Sequence, residues 1–559
     1  MNTATFCARL AVLPLALSAA FPVFAQSTSA GTLKDVVVTA SRNPQLLSAT
    51  SAHTTLITRD DIEKSNATDL VSLLQLEAGL QRSQNGGIGS TSTIFMRGLP
   101  ALDTLVLIDG VPQNKQDASG SVSLEHLMLD NVERVEIVRG NVSAIYGSGA
   151  IGGVIQIFTR APEKGSSARL ALEVGPRNTA KLAGQASVAA GDTSLTAGVS
   201  RLTTDGFSSI NGAQLINANP DNDGYQNVSA NASVTHRINK DHQFGVQFLQ
   251  TEGKSQYDTS GSFALPTDIQ STNTRMNQAT VFTDNMFGTW RSRLSLSEQT
   301  EKNMYFSHGS YEADNGFNTR IDVLRWVNTV PMGNDWLGTA GFEEQRQHVD
   351  TTTTDPFSVA YNKDRNTHAL FAGLEGCFGP ATLQLNVRSD FVGDLQKDTG
   401  YLGAGYSFTD AFKLTASTST AFNAAPLGYL YDPMSGNPLL KPEQAQSNEV
   451  GVQYNSGSHL LRATYFDTRV QDQLEYDFNN YLFANISRAR NTGVELSYKG
   501  TVGAADLRAS LTQQNPINED TGLSLPRRAK TLANLGVSRQ YSAWRVGADL
   551  RYVGESVDS

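Results

Sequence analysis

The feature that most constrains this chain is an alternation of apolar and polar residues that recurs from about residue 165 to the last residue. Val494, Leu496 and Tyr498 share one face of such a stretch, while Glu495 and Ser497 share the other. Gly, Asn and Asp turns separate the stretches. About 400 residues of this kind predict a membrane all-β protein, a large antiparallel transmembrane β-barrel with one face toward lipid and the other toward water.

A soluble β-sandwich would explain any single stretch equally well. The number of stretches favours the barrel, because a closed sheet is the only sheet that satisfies every backbone group inside a bilayer. A helical membrane protein is excluded, since no stretch after residue 25 approaches the roughly 20 apolar residues that a spanning helix requires.

The N-terminus has the pattern of a secretory signal. Arg9 precedes an apolar run over residues 10–20, and Val23 and Ala25 place small residues at the positions that precede a cleavage site. We therefore expect residues 1–25 to be a signal peptide, although a buried N-terminal helix is the alternative. Cleavage there would leave Cys377 as the only cysteine, and an internal disulfide would be impossible.

Three zones follow the predicted signal. Residues 26–50 form a polar N-terminal segment, residues 51–160 predict a small α/β domain with a helical stretch over 60–76, and residues 161–559 form the barrel. The formal net charge is −10, and the chain has no basic stripe, which argues against nucleic-acid binding. The eight histidines are scattered and no nucleophile–base pair is evident, so the chain is not expected to be an enzyme.

Five motifs of the α/β domain occur in an order typical of one family. They cover Asp69–Leu74, Ile94–Gly98, Val106–Pro112, Val132–Gly140 and Ala144–Ile155. Together they resemble the plug domain of TonB-dependent outer-membrane receptors, and within that family the cobalamin receptors are the most similar. The resemblance implies an N-terminal α/β plug inside a 22-stranded barrel, located in the outer membrane and used for active import.

A short β-branched run precedes the plug. It resembles the TonB box, and its residues are Asp35, Val36, Val37, Val38, Thr39 and Ala40. An extended peptide of this kind can add a strand to the sheet edge of a partner, so the resemblance implies TonB as that partner. The rival from another class is a passive porin or adhesin, but a porin needs an open lumen.

Two plug arginines, Arg97 and Arg139, each precede a glycine at a strand end. In the family such arginines pair with glutamates of the barrel wall, and Glu449 and Glu495 resemble those partners. Alternation predicts that both glutamates point into the lumen. Breaking one partner of such a buried pair costs roughly 3–5 kcal/mol, so we expect a plug–barrel latch.

Oxygen-bearing residues are concentrated in two early barrel loops, and cobalamin receptors hold calcium on such a pair of loops. The resemblance implies the ligands Asn219, Asp221, Asp223, Tyr257, Asp258 and Asp268. Calcium fits this set because it takes 6–8 oxygen ligands in flexible geometry. An ordinary Asx-turn is the alternative for residues 221–224, and Asn219 and Ser208 depart from the family pattern.

Ligand contacts are implied by the same resemblance at the plug apices and at one barrel loop. These positions are Thr91, Thr93, Ala118, Ser119 and Arg527. The expected ligand is a scarce metal chelate, with a corrinoid as the first expectation and a ferric siderophore as the alternative. Pro100 replaces an expected Asn, which weakens the corrinoid expectation. A haem ligand is disfavoured because residues 421–443 contain no histidine.

The C-terminal residues 554–559 form a polar stretch, whereas barrels of this family end on an aromatic residue. Alignment with the family places about 19 of its 22 strands in this chain. The sequence therefore predicts either a truncated reading or a rearranged, smaller barrel. We further expect a monomer surrounded by outer-membrane lipid.

Overall fold

The computed structural model describes residues 36–161, 165–211, 217, 219–258 and 264–557. The predicted signal peptide and Asp35 of the predicted TonB box lie outside the described residues. Within the described ranges the chain forms a small α/β domain followed by a single large sheet.

The α/β domain is built on a five-stranded sheet with the order β3-β8-β9-β6-β7, in which only the β6–β9 pair is parallel. Its elements are β1 (Val36–Val37), β2 (Gln45–Leu46), β3 (Thr54–Ile57), α1 (Arg59–Lys64), α2 (Leu70–Leu74), β4 (Leu80–Gln84), β5 (Ser92–Met96), β6 (Thr104–Ile108), β7 (Val111–Pro112), β8 (Val132–Arg139), α3 (Ser143–Tyr146) and β9 (Gly153–Thr159). Aliphatic residues of β6, β8 and β9 form its core together with α2.

The helical stretch predicted over residues 60–76 is two short helices instead of one. Thr58 and Asp61 form a capping box at the start of α1, and Asp69 and Ser72 form another at the start of α2. The first helix ends at Lys64 because the next residue, Ser65, is extended with ψ 158°, and the extended Asp69 then caps the second helix.

In the described part of the chain, nineteen antiparallel strands form the barrel, each paired with the next along the chain. They are β10 (Ser166–Gly175), β11 (Thr179–Ala190), β12 (Thr193–Thr204), β13 (Tyr225–Arg237), β14 (His242–Tyr257), β15 (Ile269–Phe287), β16 (Trp290–His308), β17 (Ala313–Met332), β18 (Trp336–Thr353), β19 (Asn362–Phe378), β20 (Ala381–Val392), β21 (Leu395–Ser407), β22 (Phe412–Asn423), β23 (Glu443–Ser456), β24 (His459–Asp477), β25 (Leu482–Val502), β26 (Ala505–Asn518), β27 (Thr531–Tyr541) and β28 (Trp544–Val553). A short helix, α4 (Leu427–Tyr431), lies in the long β22–β23 loop. Within the described ranges β10 and β28 are the two edges of this sheet, and since 19 is odd they run in the same direction.

The alternation predicted from the sequence is confirmed on both faces of the barrel. On β10, Leu170, Leu172 and Val174 are 78, 75 and 76% exposed. The polar side chains Gln299 and Glu301 of β16 are 1 and 0% exposed. Apolar residues thus cover the outer face, and polar residues line the lumen.

The α/β domain fills the lumen, as the plug prediction requires. Its side chains and carbonyls are bonded to inward residues of strands all around the barrel, including Gln113–Gln278, Ser123–Glu301, Asn43–Thr339, Ala40–Gln384 and Arg97–Glu495. No helix in the described part of the chain is both long and apolar enough to cross a membrane.

Candidate functional site

The N-terminal segment lies folded between the plug and the barrel wall, at the end of the barrel that carries the short turns. β1 pairs antiparallel with β2, with Val36 opposite Leu46. Val37, Thr39 and Ala40 are 0, 0 and 1% exposed. Three of the five described residues of the predicted TonB box are therefore buried, whereas Val36 is 45% exposed.

Glu136 of β8 holds this segment through its carboxylate. The backbone N–H groups of Val38 and Thr39 each donate to Glu136 Oε2 at 2.8 Å, and the Thr39 hydroxyl donates to the same oxygen at 2.7 Å. The Tyr146 hydroxyl donates to the Thr39 carbonyl at 2.9 Å. A partner that adds a strand needs these backbone groups, so the segment has to leave Glu136 before strand addition can occur.

Directly after the segment, Arg42 reaches a buried ion cluster that we call the N-terminal clasp: Arg42, Arg325, Glu343, Arg388 and Asp390. Arg325 and Arg388 contact Glu343 at 2.6 and 3.0 Å, and Arg388 also contacts Asp390 at 2.9 Å. Arg42 lies farther away, 3.5 Å from Glu343. Among the described residues, no guanidinium nitrogen of Arg42 has a hydrogen-bond partner.

Aromatic rings provide the closer contacts of Arg42. Its guanidinium carbon lies 4.4 Å from the ring centre of Phe371 and 5.0 Å from that of Tyr146, within cation–π range. Burial, followed by repulsion from Arg325, lowers the pKa of Arg42 to about 10. The residue still carries its charge at neutral pH, but this environment disfavours that charge.

A second ion cluster, which we call the central latch, consists of Arg97, Glu449 and Glu495. Arg97 donates to both oxygens of Glu495 at 3.1 and 2.9 Å and to Glu449 at 2.8 Å. Although burial opposes the charge, the two glutamates raise the pKa of Arg97 above its ordinary value. The predicted pairing of this arginine with both glutamates is present in the structure.

Two glycines make room for the carboxylates of the latch. A Cβ on Gly79 would overlap Glu495, and a Cβ on Gly140 would overlap Glu449. Both residues also have positive φ, 71° and 86°, which L side chains rarely adopt. The glycine after Arg139 in the plug motif is therefore required by the close approach of the barrel wall.

The predicted pairing of Arg139 with a glutamate is not found among the described residues. Arg139 donates to the Ala78 carbonyl at 2.8 Å and to the Thr55 hydroxyl at 2.7 Å. His53, which the sequence did not single out, lies 3.0 Å from Glu495. Burial lowers the pKa of His53 to about 3, so the ring is neutral and adds no charge to the latch.

Three of the predicted calcium ligands come together at the end of the barrel that carries the long loops. Asp221, Asp223 and Asp258 each offer a carboxylate oxygen, and these oxygens lie within 4.8 Å of one another. Burial, and then the neighbouring Asp258, raises the pKa of Asp223 to about 6. Three carboxylates without a basic partner among the described residues favour a divalent cation in this position.

The other predicted ligands are placed differently. The Asp268 carboxylate accepts from the Leu265 N–H at 2.9 Å and from the Ser310 N–H at 2.7 Å. Asn219 donates to the Asp268 carbonyl at 3.0 Å, and Tyr257 ends strand β14. The structure thus gathers the three aspartates, whereas Asp268 is bound to the next loop.

Two family models match this chain and identify the kind of protein in which these clusters occur. A family described as "TonB dependent receptor-like, beta-barrel" matches residues 171–559, and the "TonB-dependent Receptor Plug Domain" matches residues 47–154. This chain belongs to the TonB-dependent receptors. Family membership implies TonB as the energising partner and the outer membrane as the location, and it makes the chain a receptor rather than an enzyme.

Solved structures of such receptors share the fold of this one. The ferripyoverdine receptor of Pseudomonas aeruginosa superimposes with a TM-score of 0.77 at 15% identity, covering 93% of this chain and 79% of its own. A ferric enterobactin receptor mutant from the same organism gives 0.77 at 18%, covering 93 and 87%. The alcaligin receptor of Bordetella pertussis gives 0.74 at 16%, covering 93 and 90%.

At the extracellular mouth of the receptor, the predicted ligand positions line different surfaces. Thr91 precedes β5, which contains Thr93, and the exposed Ser119 follows Ala118 in a plug loop. Arg527 is exposed and has φ +61° in the β26–β27 loop. Thr91, Thr93, Ala118 and Ser119 thus belong to the plug and Arg527 to a barrel loop, and their role in ligand binding stays a prediction.

An aromatic wall next to Ala118 was not predicted from the sequence. Tyr429 of α4 stacks on Phe483 with ring centres 3.8 Å apart, and Tyr476 meets Phe483 edge-on at 5.4 Å. Leu102 and Ala118 of the plug pack against this group. Contacts between a loop helix and two strand ends leave no periodic signal in the sequence, which is why the pattern did not indicate them.

Proposed function

We propose that this receptor imports a ferric siderophore across the outer membrane, driven by TonB. Two of the three similar structures are receptors of ferripyoverdine and ferric enterobactin, and both ligands are iron chelates. These comparisons support the siderophore alternative better than the corrinoid expectation, which rests on resemblance of motifs alone. We expect a single chain to suffice, because the plug, the latch and the clasp all come from one chain.

The chemistry of the extracellular mouth supports the proposal. The aromatic wall of Tyr429, Tyr476 and Phe483 lies beside the plug, with Phe483 buried and the two tyrosines partly exposed. Arg528 stacks on Phe95 at 4.4 Å, and Arg527 is exposed in the same loop. Aromatic rings and arginines together suit a chelate that has both aromatic groups and negative charge.

Direct binding tests the ligand. Purified receptor is titrated with a panel of ferric siderophores and with cyanocobalamin, in the presence and absence of calcium. We expect at least one ferric siderophore to bind at least tenfold more tightly than cyanocobalamin, which is about 1.4 kcal/mol. Preferential binding of cyanocobalamin would instead restore the corrinoid expectation.

Deletion of residues 33–40 tests the energising step. The deletion removes the strand-forming segment while leaving the extracellular mouth intact, so ligand binding is expected to persist and uptake into cells to vanish. Uptake that continues after the deletion would identify a passive pore. Glu298→Ala is the matched control, since Glu298 and its partner Arg320 are both 49% exposed on the outer face of the barrel.

We also propose that calcium binds Asp221, Asp223 and Asp258 and orders their loops. The support is the convergence of their three carboxylates. The ion is expected to be structural, since it would neutralise loops that otherwise repel each other.

A further inference from the structure

A pair of buried carboxyl groups joins the plug to the barrel wall just below the extracellular mouth. Asp103 ends the plug turn that precedes β6, and Glu443 is the first residue of β23. Asn423, the last residue of β22, lies between them. The three residues are 0, 1 and 3% exposed, so water cannot satisfy their polar atoms.

This contact has more hydrogen-bond acceptors than donors. The Asn423 amide nitrogen, which has two N–H bonds, lies within reach of three oxygens: Leu102 O at 3.1 Å, Asp103 Oδ1 at 3.3 Å and Glu443 Oε2 at 3.0 Å. The Leu474 N–H satisfies Glu443 Oε1 at 2.8 Å. Among the described residues, Asp103 Oδ2 has no donor at all.

No cation resolves this excess. Arg528, the basic group that faces Asp103 from the β26–β27 loop, donates to the carbonyls of Gly98 and Pro526. Tyr429 of α4, which faces both Glu443 and Asp103, brings no positive charge. Burial raises the pKa of Asp103 to about 6.

We propose that Asp103 and Glu443 share one proton at neutral pH and act as positioning residues that hold the plug apex against the barrel wall. The proton lies between the two carboxyl groups, which are within hydrogen-bonding reach of each other. Two adjacent buried carboxyls cannot both ionise without strong repulsion. The shared proton supplies the donor that Asp103 Oδ2 otherwise lacks.

The position of the pair gives it a specific task. Asp103 lies six residues after Arg97 of the central latch, and Leu102 packs against the aromatic wall. The pair therefore connects the latch to the ligand side of the plug, whichever chelate is carried. A carboxyl whose pKa is raised in the folded protein stabilises the contact at low pH, and this stabilisation is lost as the pH rises through the raised value.

Cysteine labelling measures the contact. Ala118→Cys is introduced where Cys7 and Cys377 are serine, and its maleimide labelling rate is followed from about pH 6 to about pH 9. Asp103→Asn, which carries a permanent N–H donor, is the reference at each pH and cancels the titration of the thiol itself. The labelling rate with Asp103 present is divided by the rate of the Asp103→Asn variant. This ratio is expected to be near one at about pH 6 and then to rise up to tenfold per pH unit, because opening releases one proton.

Two further variants make the outcome decisive. Asp103→Ala should label rapidly at every pH, whereas Asp109→Asn should keep the pH response, because both oxygens of Asp109 already accept from Thr159. A ratio that is flat across the pH range would overturn the proposal. So would equal labelling of Asp103→Asn and Asp103→Ala, or a ratio that follows sodium or calcium concentration instead of pH.

Discussion

The central latch and the N-terminal clasp use the same chemistry, plug-side arginines on glutamates of the barrel wall, yet their bonding differs. Arg97 and Arg42 both have left-handed backbone conformations, with φ 48° and 64°. Arg97 makes three hydrogen bonds to its two glutamates. Arg42 makes none and lies 3.5 Å from a glutamate that two other arginines already occupy.

Charge balance explains the difference. The central latch holds one arginine, Arg97, hydrogen-bonded to two glutamates, Glu449 and Glu495, so withdrawal of Arg97 would leave two buried carboxylates without the guanidinium that binds them. The clasp holds three arginines, Arg42, Arg325 and Arg388, against the two acids Glu343 and Asp390. Withdrawal of Arg42 therefore leaves a balanced set. An arginine that two carboxylates hold is fixed, whereas an arginine that is surplus to the acids around it can be released.

The largest effect is expected in the latch. Glu495→Ala leaves Arg97 with one partner in a buried site and should cost roughly 3–5 kcal/mol of plug–barrel stability without unfolding the barrel. Planar-bilayer conductance and proteolysis of the plug measure the loosening. Wild-type conductance in this variant would show that the central latch does not keep the plug in the barrel, and the contrast between latch and clasp would be wrong.

The latch was also the part of the site most accessible to prediction. Strand alternation points Glu449 and Glu495 inward, and the Arg-Gly motif identifies Arg97. Arg139 has the same motif, but its partner depends on the distance from the wall, and it donates to Ala78 and Thr55 instead. A motif therefore indicates that an arginine turns inward, but not which acceptor it reaches.

The clasp and the carboxyl pair could not have been predicted from local patterns. Arg42 and Glu343 are about 300 positions apart, and alternation makes Glu343 only one of many inward residues on β18. The same holds for Asp103 and Glu443. The fold was predictable because period-2 alternation is a local property, whereas these contacts depend on how the plug is rotated within the barrel.

A smaller effect is expected in the clasp. Arg42→Ala removes two cation–π contacts but no hydrogen bond, so it should loosen the N-terminal segment by about 1 kcal/mol and leave the plug in place. Hydrogen exchange of the amides over residues 36–40 should accelerate about fivefold. Conductance should stay at the wild-type level.

Arg42→Met is the matched control. Methionine keeps apolar contact with Phe371 and Tyr146 and removes the surplus charge, so exchange should be slower than in Arg42→Ala. If Arg42→Ala released the whole plug, or cost as much as Glu495→Ala, the distinction between a fixed latch and a releasable clasp would be wrong.

A third cluster, which we call the acidic triad, has the opposite charge imbalance, a surplus of negative charge. Asp221, Asp223 and Asp258 come together without a basic partner among the described residues. A buried arginine held by two carboxylates is fixed and a surplus arginine is releasable, whereas a cluster of three carboxylates is expected to recruit a cation from outside. The effect should be the smallest of the three, because these loops are exposed to solvent and screened by salt.

Calcium should therefore protect the two loops from protease and raise ligand affinity about twofold, roughly 0.4 kcal/mol. The pKa of Asp223 is raised to about 6, so without metal its protonated form favours the folded loops at low pH, and that stabilisation is lost as the pH rises through about 6. Calcium competes with this proton, and its protection should fade below about pH 6.

Asp258→Asn should abolish the protection, whereas Asp268→Asn should retain it, because the Asp268 carboxylate is already bound to Ser310. Equal loss in both variants would return Asp268 to the ligand set, and protease sensitivity that chelator leaves unchanged would show that the triad recruits no calcium.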